Sequence, residues 1–237
     1  MPVYALSPEL MFPHPGLASR SGLLAVGGDL SAARLLLAYS LGIFPWYNEG
    51  DPILWWSPSP RLIIVPKSIH VPRSLIKSMK REHFSVTFDT AFGDVIKACA
   101  TTGDRAGEGT WLVPEMIAAY ENLHRLGYAH SVETWQDGRL AGGLYGVSLG
   151  RCFFGESMFF SKPDASKTAL VTLAAFLASR NFSLIDCQQD TPHMRKMGGR
   201  TVSRRHFMQM LREAMDGETL MGNWGALVEE RSEGCDE

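Results

Sequence analysis

The sequence predicts an α+β protein, with a small N-terminal domain followed by a larger domain on a mostly antiparallel mixed sheet. Three observations lead there. Helical and strand-like stretches alternate after residue 62 without a repeat or a low-complexity tract. Gln136-Asp-Gly-Arg139 is a hairpin signal in the middle of that stretch, because Asp-Gly supplies the positive φ angles of a tight turn. The Pro-rich segment Ser57-Pro-Ser-Pro-Arg61 separates this region from a Gly- and Pro-rich beginning. The expected domains are residues 1–62 and 63–237.

The elements follow in order. In the first sixty residues one helix stands out, Ala32 to Ser40, with Ser31 as N-cap and Gly42 placed to end it. Residues 42–61 hold three tryptophans and four prolines, which suggests an irregular, stiff backbone. Leu62 to Val65 is a short strand stopped by Pro66, and Ser74 to Arg81 a helix. A strand at Ser85 to Phe88 and a helix at Thr90 to Ala100 come next. Pro114 opens a helix with an apolar stripe from Met116 to Leu126, ending at Gly127. Tyr128 to Trp135, Leu140 to Val147 and Arg151 to Phe160 read as an antiparallel meander. Ala165 to Ser179 is apolar on most sides and therefore a buried helix. Ser183 to Gln188 is a strand, and Arg204 to Met215 a final helix.

Composition narrows the function classes. At 237 residues, 45% hydrophobic and 10% aromatic, the chain can bury a sizeable core. It contains no run of eighteen apolar residues and no signal-peptide core, so the expected location is the cytoplasm. Cys99, Cys152, Cys187 and Cys235 are far apart and read as reduced thiols. With no CxxC, HxxxH or HExxH, neither a metal nor another cofactor is expected.

Charge is segregated. Pro52 to Arg81 and Thr191 to Arg212 contain no acid and hold more than half of the 23 Lys and Arg residues, although the net charge is −2. In a helix, Arg73, Lys77, Lys80 and Arg81 share one face, while Leu75, Ile76 and Met79 can turn inward. Basic windows beside Trp46, Trp55 and Trp56 suit a nucleic acid, with the tryptophans as stacking platforms or pocket walls. A solvated basic face and tryptophans that pin a loop to the core are the bland alternative.

Three segments could carry chemistry. In a strand, Asp186 and Gln188 face one side while Ile185 and Cys187 face the other, and a carboxylate ending an apolar strand needs a partner or a function. Glu156 lies within the aromatic run Phe153 to Phe160 and must likewise find a partner, among side chains that suit an apolar pocket. Trp111 precedes a helix N-terminus, where backbone amides can meet an anion. Each also has a structural reading: a pair closing a strand, ordinary core packing, a hydrophobic staple. Arg195-Lys-Met-Gly-Gly-Arg200 is close to the phosphate loop of CoA-dependent acetyltransferases, but Arg200 falls where that loop needs a small residue.

Gly27-Gly-Asp-Leu30, Gly42-Ile-Phe-Pro-Trp46, Trp55-Trp-Ser-Pro58, Glu108-Gly-Thr-Trp111, Gly155-Glu-Ser-Met-Phe159, Ser166-Lys-Thr-Ala169 and Ile185-Asp-Cys-Gln188 together resemble the leucyl/phenylalanyl-tRNA–protein transferases. The resemblance implies a GNAT-like catalytic domain. It implies a bacterial cytosolic enzyme that moves Leu or Phe, less well Met, from charged tRNA onto proteins beginning with Arg or Lys, marking them for the N-degron route. It implies that Asp186 with Gln188 orients and deprotonates the acceptor amine. Trp46 and Trp111 would hold the terminal adenosine. Leu144, Phe153, Met158, Leu173 and Ile185 would form the side-chain pocket, with Glu156 its carboxylate and Tyr120 in the same region. Arg73, Lys77, Lys80 and Arg81 would face the acceptor stem. Leu144 and Leu173 depart from the Met and Phe common in the family, which bears on donor preference. Competing readings are an acyl-CoA-dependent N-acyltransferase, a non-catalytic tRNA-binding protein and a peptidoglycan-type aminoacyl transferase.

Overall fold

A computed structural model describes residues 3–101 and 112–233, the last five as backbone only. Trp111 and Cys235 lie outside the described residues.

The N-terminal region carries more regular structure than its sequence suggests. Strands β1 (Tyr4–Leu6), β2 (Leu23–Gly27), β3 (Phe44–Pro45) and β4 (Leu54–Trp56) form a four-stranded sheet in the order β1-β2-β4-β3. Trp55 and Trp56 therefore belong to a strand, correcting the expectation of irregular backbone. Pro58 and Pro60 lie beyond it, where no ladder donor is lost. Helix α1 (Ala32–Ser40) is as expected, with the Ser31 hydroxyl accepting from the Arg34 amide. After it Gly42 takes φ 69°, and a Cβ there would meet the Phe207 ring at 2.7 Å.

The second sheet has seven strands in the order β11-β5-β10-β9-β8-β7-β6. They are β5 (Arg61–Ile64), β6 (Ser85–Phe88), β7 (Ala129–Gln136), β8 (Arg139–Leu149), β9 (Cys152–Phe160), β10 (Leu184–Gln188) and β11 (Arg200–Val202). All pairs are antiparallel except β9 with β10. The β7–β8 turn has Asp137 at φ 50° and Gly138 at φ 71°, as the hairpin signal requires. The helices are α2 (Arg73–Arg81), α3 (Phe92–Thr101), α4 (Pro114–Arg125), α5 (Ala165–Ser179), α6 (Pro192–Lys196), α7 (Arg204–Met215) and α8 (Trp224–Glu233).

The sheet separates two apolar layers. One joins α1, α3, α4, α7 and the small sheet, with Trp55, Val95, Tyr145 and Phe154 in one continuous cluster. The other packs α2, α5 and Trp224 of α8 against Phe153, Val132 and Ile185. Helix α2 turns Leu75 and Ser78 inward and leaves Arg73, Lys77, Lys80 and Arg81 exposed. Ile76 is 43% exposed, against the expectation that it faces the core; the buried position goes to Ser78, one turn on from Leu75.

Candidate active site

Strands β9 and β10 pair only at Leu184–Cys152, Ile185–Phe153 and Asp186–Phe154. Beyond that point β9 continues with β8 to Phe160, whereas β10 ends at Gln188. The gap opens a cavity of about 470 Å³. Residues from both apolar layers line it: Phe44 and Tyr145 from one, Leu144, Phe153, Leu170, Leu173 and Ile185 from the other. The cavity thus connects the two faces of the sheet where a ladder pair is missing.

A β-bulge supplies the acid at its centre. Tyr145 pairs with Ser157 and Gly146 with Gly155, which leaves Glu156 as the extra residue of β9. Gly146 suits the crossing, since a Cβ there would lie 2.2 Å from the Phe154 carbonyl oxygen. Glu156 Oε1 accepts from the Tyr39 hydroxyl at 2.8 Å and from Gln188 Nε2 at 2.7 Å, and Oε2 accepts from the Tyr120 hydroxyl at 2.9 Å. The two tyrosine hydroxyls are 2.6 Å apart. Burial raises the Glu156 pKa to about 7, partly offset by hydrogen bonds from Tyr39, Tyr120 and Gln188. Burial also holds both phenols well above their ordinary value, so they act as neutral donors.

Asp186 is placed differently from expectation. Its Oδ1 accepts from Arg61 Nε at 2.8 Å and its Oδ2 from Arg61 Nη2 at 2.6 Å, and neither side chain reaches solvent. It is absent from the cavity wall. The register shifts between Asp186 and Gln188, and Gln188 takes φ 59°, so the simple alternation of a strand does not relate the two. The Gln188 backbone amide, not its side chain, donates to Asp186 Oδ1 at 2.9 Å. The side chain is left for Glu156. Both Asp186 oxygens thus accept from a buried cation and Oδ1 also from the Gln188 amide, so Asp186 lies behind Gln188 and not, as expected, beside it on the cavity wall. Arg61, counted with the basic surface in the sequence, is 1% exposed and leaves that surface.

The other expected residues fall as follows. Trp46, Leu144, Phe153, Glu156, Met158, Leu173, Ile185 and Gln188 line the cavity. Tyr120 reaches it through Glu156. Trp46 is 37% exposed beside Trp56, with ring centroids 5.7 Å apart. Trp55 is fully buried against Phe12 and donates to the Gly27 carbonyl, so it is core. In the second basic window Arg204 donates to the Ser57 carbonyl, 147 positions away, and so ties the fold, while Arg195 pairs with Asp190 at the surface. Residues 195–200 run from α6 into strand β11, not into a helix N-terminus whose amides could cradle a pyrophosphate.

Sequence reasoning missed Tyr39, Arg61 and His193. Tyr39 had a signal: a tyrosine on the buried face of an amphipathic helix needs a partner for its hydroxyl. Arg61 had none, since its partner is 125 positions away.

Two family models match the chain, leucyl/phenylalanyl-tRNA protein transferase over residues 63–212 and the N-terminal domain of the same transferase over residues 28–59. A leucyl/phenylalanyl-tRNA–protein transferase of Desulfatibacillum aliphaticivorans is 58% identical over 94% of this chain and 96% of its own. One from Anaeromyxobacter sp. strain Fw109-5 is 53% identical over 99% of this chain and 100% of its own. Among solved structures, an aminoglycoside acetyltransferase from an uncultured soil metagenomic sample is distantly similar, at 15% identity and TM-score 0.36 over 46% of this chain and 80% of that one. By the family matches and these identities, the chain belongs to the leucyl/phenylalanyl-tRNA–protein transferase family.

Proposed function

We propose that the protein transfers Leu or Phe, and less well Met, from aminoacyl-tRNA to the α-amino group of proteins beginning with Arg or Lys. The products are substrates for N-degron-dependent degradation in the cytoplasm. Residues 1–62 serve as a small N-terminal domain that supplies one wall of the site, and residues 63–237 as the catalytic domain. The observation that carries the reading is the cavity in the β9–β10 gap, apolar along Leu144, Phe153, Leu173 and Ile185 and acidic at Glu156.

The apolar walls take the donor side chain. Trp46 at the mouth stacks with the terminal adenosine, and Trp111 is assigned the same task from the family pattern. The exposed face of α2 meets the phosphates of the acceptor stem. The acceptor amine, with an unperturbed pKa of ~7.7–8.0, enters beside Glu156 and Gln188. A carboxyl with a pKa near 7 is matched to accept a proton from such an ammonium at neutral pH. The free amine attacks the ester carbonyl carbon, a C–N bond forms and the C–O bond to ribose breaks. The amine loses a second proton and the ribose oxygen leaves carrying one. The ester is already activated, so orientation of amine against ester supplies much of the rate.

The test is incubation with radiolabelled Leu-tRNA and a protein beginning with Arg, with acetyl-CoA as a separate donor. Leucine should appear on the protein N-terminus and acetyl should not. Transfer of acetyl, or tight tRNA binding without transfer, overturns the reading.

A further inference from the structure

His193 stands in the cavity wall on α6, five residues after Gln188, together with Met194 of the same short helix. The family reading gives it no part. Its Nε2 is buried from water and makes no hydrogen bond. A buried polar nitrogen left unpaired is costly, and most such atoms in folded chains find a protein, water or ligand partner. Nothing within the described residues satisfies this one, and the space it borders is the cavity.

The surrounding charge indicates which part of the donor meets it. Burial lowers the His193 pKa, and the positive charges of Lys167 on α5 and Lys196 one turn along α6 lower it further. The ring is therefore neutral at pH 7, with one nitrogen as N–H. Both lysines lie outside the cavity lining and Lys167 is paired with Asp164 at 2.6 Å, so what the wall presents here is the neutral ring, whose N–H suits an oxygen acceptor and not an ammonium. Glu156, with its three hydrogen-bond donors, has the opposite preference. The cavity wall thus holds an acid, Glu156, that suits the amine and a neutral imidazole, His193, that suits an oxygen acceptor.

We propose that His193 Nε2–H donates a hydrogen bond to the ester carbonyl oxygen of the aminoacyl-tRNA and stabilises the negative charge that gathers there as the acceptor amine attacks. No proton leaves the imidazole in this role. The C–N bond forms, the C–O bond to ribose breaks, and the protons move between amine, Glu156 and ribose oxygen as described above. A neutral imidazole suits the task, because a fixed N–H dipole needs no rearrangement when the charge appears. The inference rests on the proposed aminoacyl transfer and adds a residue to it.

The experiment measures single-turnover transfer from Leu-tRNA to a peptide beginning with Arg, at saturating tRNA and peptide, for the wild type, His193→Ala and His193→Gln. Leu-tRNA affinity is measured in parallel. His193→Ala should lower the rate about 10²–10³-fold, the usual cost of one oxyanion donor, with affinity nearly unchanged. His193→Gln, which keeps an N–H donor at similar reach, should recover most of that loss. Three results overturn the inference: His193→Ala at the wild-type rate, a loss that lies in tRNA affinity, or His193→Gln no faster than His193→Ala. A wild type that transfers no leucine overturns the parent reading and this one with it. A transferring wild type with an indifferent His193 overturns this one alone.

Discussion

Arg61 holds Asp186 through two parallel bonds of 2.8 and 2.6 Å, out of solvent, with its guanidinium between the rings of Phe44 and Phe207 at 4.8 and 4.6 Å. Phe44 comes from the small sheet, Phe207 from α7 and Asp186 from β10, so one cation ties three parts of the chain. Asp186 in turn holds the amide of Gln188, whose side chain holds Glu156. Removing one partner of such a pair leaves an uncompensated buried charge and costs about 3–5 kcal/mol. Asp186→Ala and Arg61→Met should each lose stability on that order in urea unfolding. Arg61→Met with Asp186→Leu should recover much of it, but not the transfer rate, because Gln188 is still unheld. A double variant with both stability and rate restored would show that the pair has no positioning role.

Glu156 links the site to pH. Its folded pKa is about 7, above the ~4.3 of an unfolded glutamate. Between those values the folded state binds more protons than the unfolded, so this group's contribution to stability is present below pH ~4.3 and is lost as pH rises through 7. Glu156→Gln never carries the charge. Its melting temperature relative to wild type should therefore climb from about pH 5 to about pH 8 and level off above. The transfer rate of the wild type should show an inflection near 7 that Glu156→Gln lacks. A melting difference independent of pH contradicts the assigned shift.

The sequence carried the fold where periodicity is long. Helices Ala165–Ser179 and Arg204–Met215 were legible to the residue, because a long, almost wholly apolar stretch marks the first and apolar spacing repeated over several turns the second. The small sheet was not, since its strands are two to five residues long and period-2 alternation has no room to appear. Eight of the nineteen residues that line the cavity were legible through the family resemblance. The direction of Asp186 was not, because a bulge and a positive φ at Gln188 break the alternation on which the reading relied. Nor was Tyr39 placed at Glu156, a contact across 117 positions that only the docking of α1 creates.

Donor choice should be partial within the apolar class and strict outside it. Leu144, Phe153, Leu173 and Ile185 surround the inner cavity with no charged side chain among them. An apolar pocket separates side chains differing by one methylene by only ~1–3 kcal/mol, whereas an unpaired charge there is far more costly. Leu-, Met- and Phe-tRNA should all serve, with kcat/KM spread over about 10–200-fold, and Asp-tRNA should not. Leu144→Trp adds volume to a wall that is 5% exposed and should impair Phe transfer more than Leu transfer. Equal transfer of Asp and Leu by the wild type contradicts the pocket assignment.

Affinity for tRNA should come mainly from phosphates along α2. Arg73, Lys77, Lys80 and Arg81 are all exposed, but they are not equivalent. Arg81 already donates to Glu82 at 2.7 Å and must give up that bond to reach a phosphate. Its reversal to Glu should therefore weaken binding less than reversal of Lys77 or Lys80. Each neutralised phosphate contributes about 0.9 to the slope of log affinity against log salt on duplex nucleic acid. Lys77→Glu with Lys80→Glu should lower affinity for all tRNA sequences alike and flatten that slope by up to about 2. The single-turnover rate at saturating tRNA should stay near wild type, because α2 lines no part of the cavity. A double reversal that leaves the salt slope unchanged moves the tRNA backbone off this helix. One that lowers the saturated rate instead ties α2 to the chemistry.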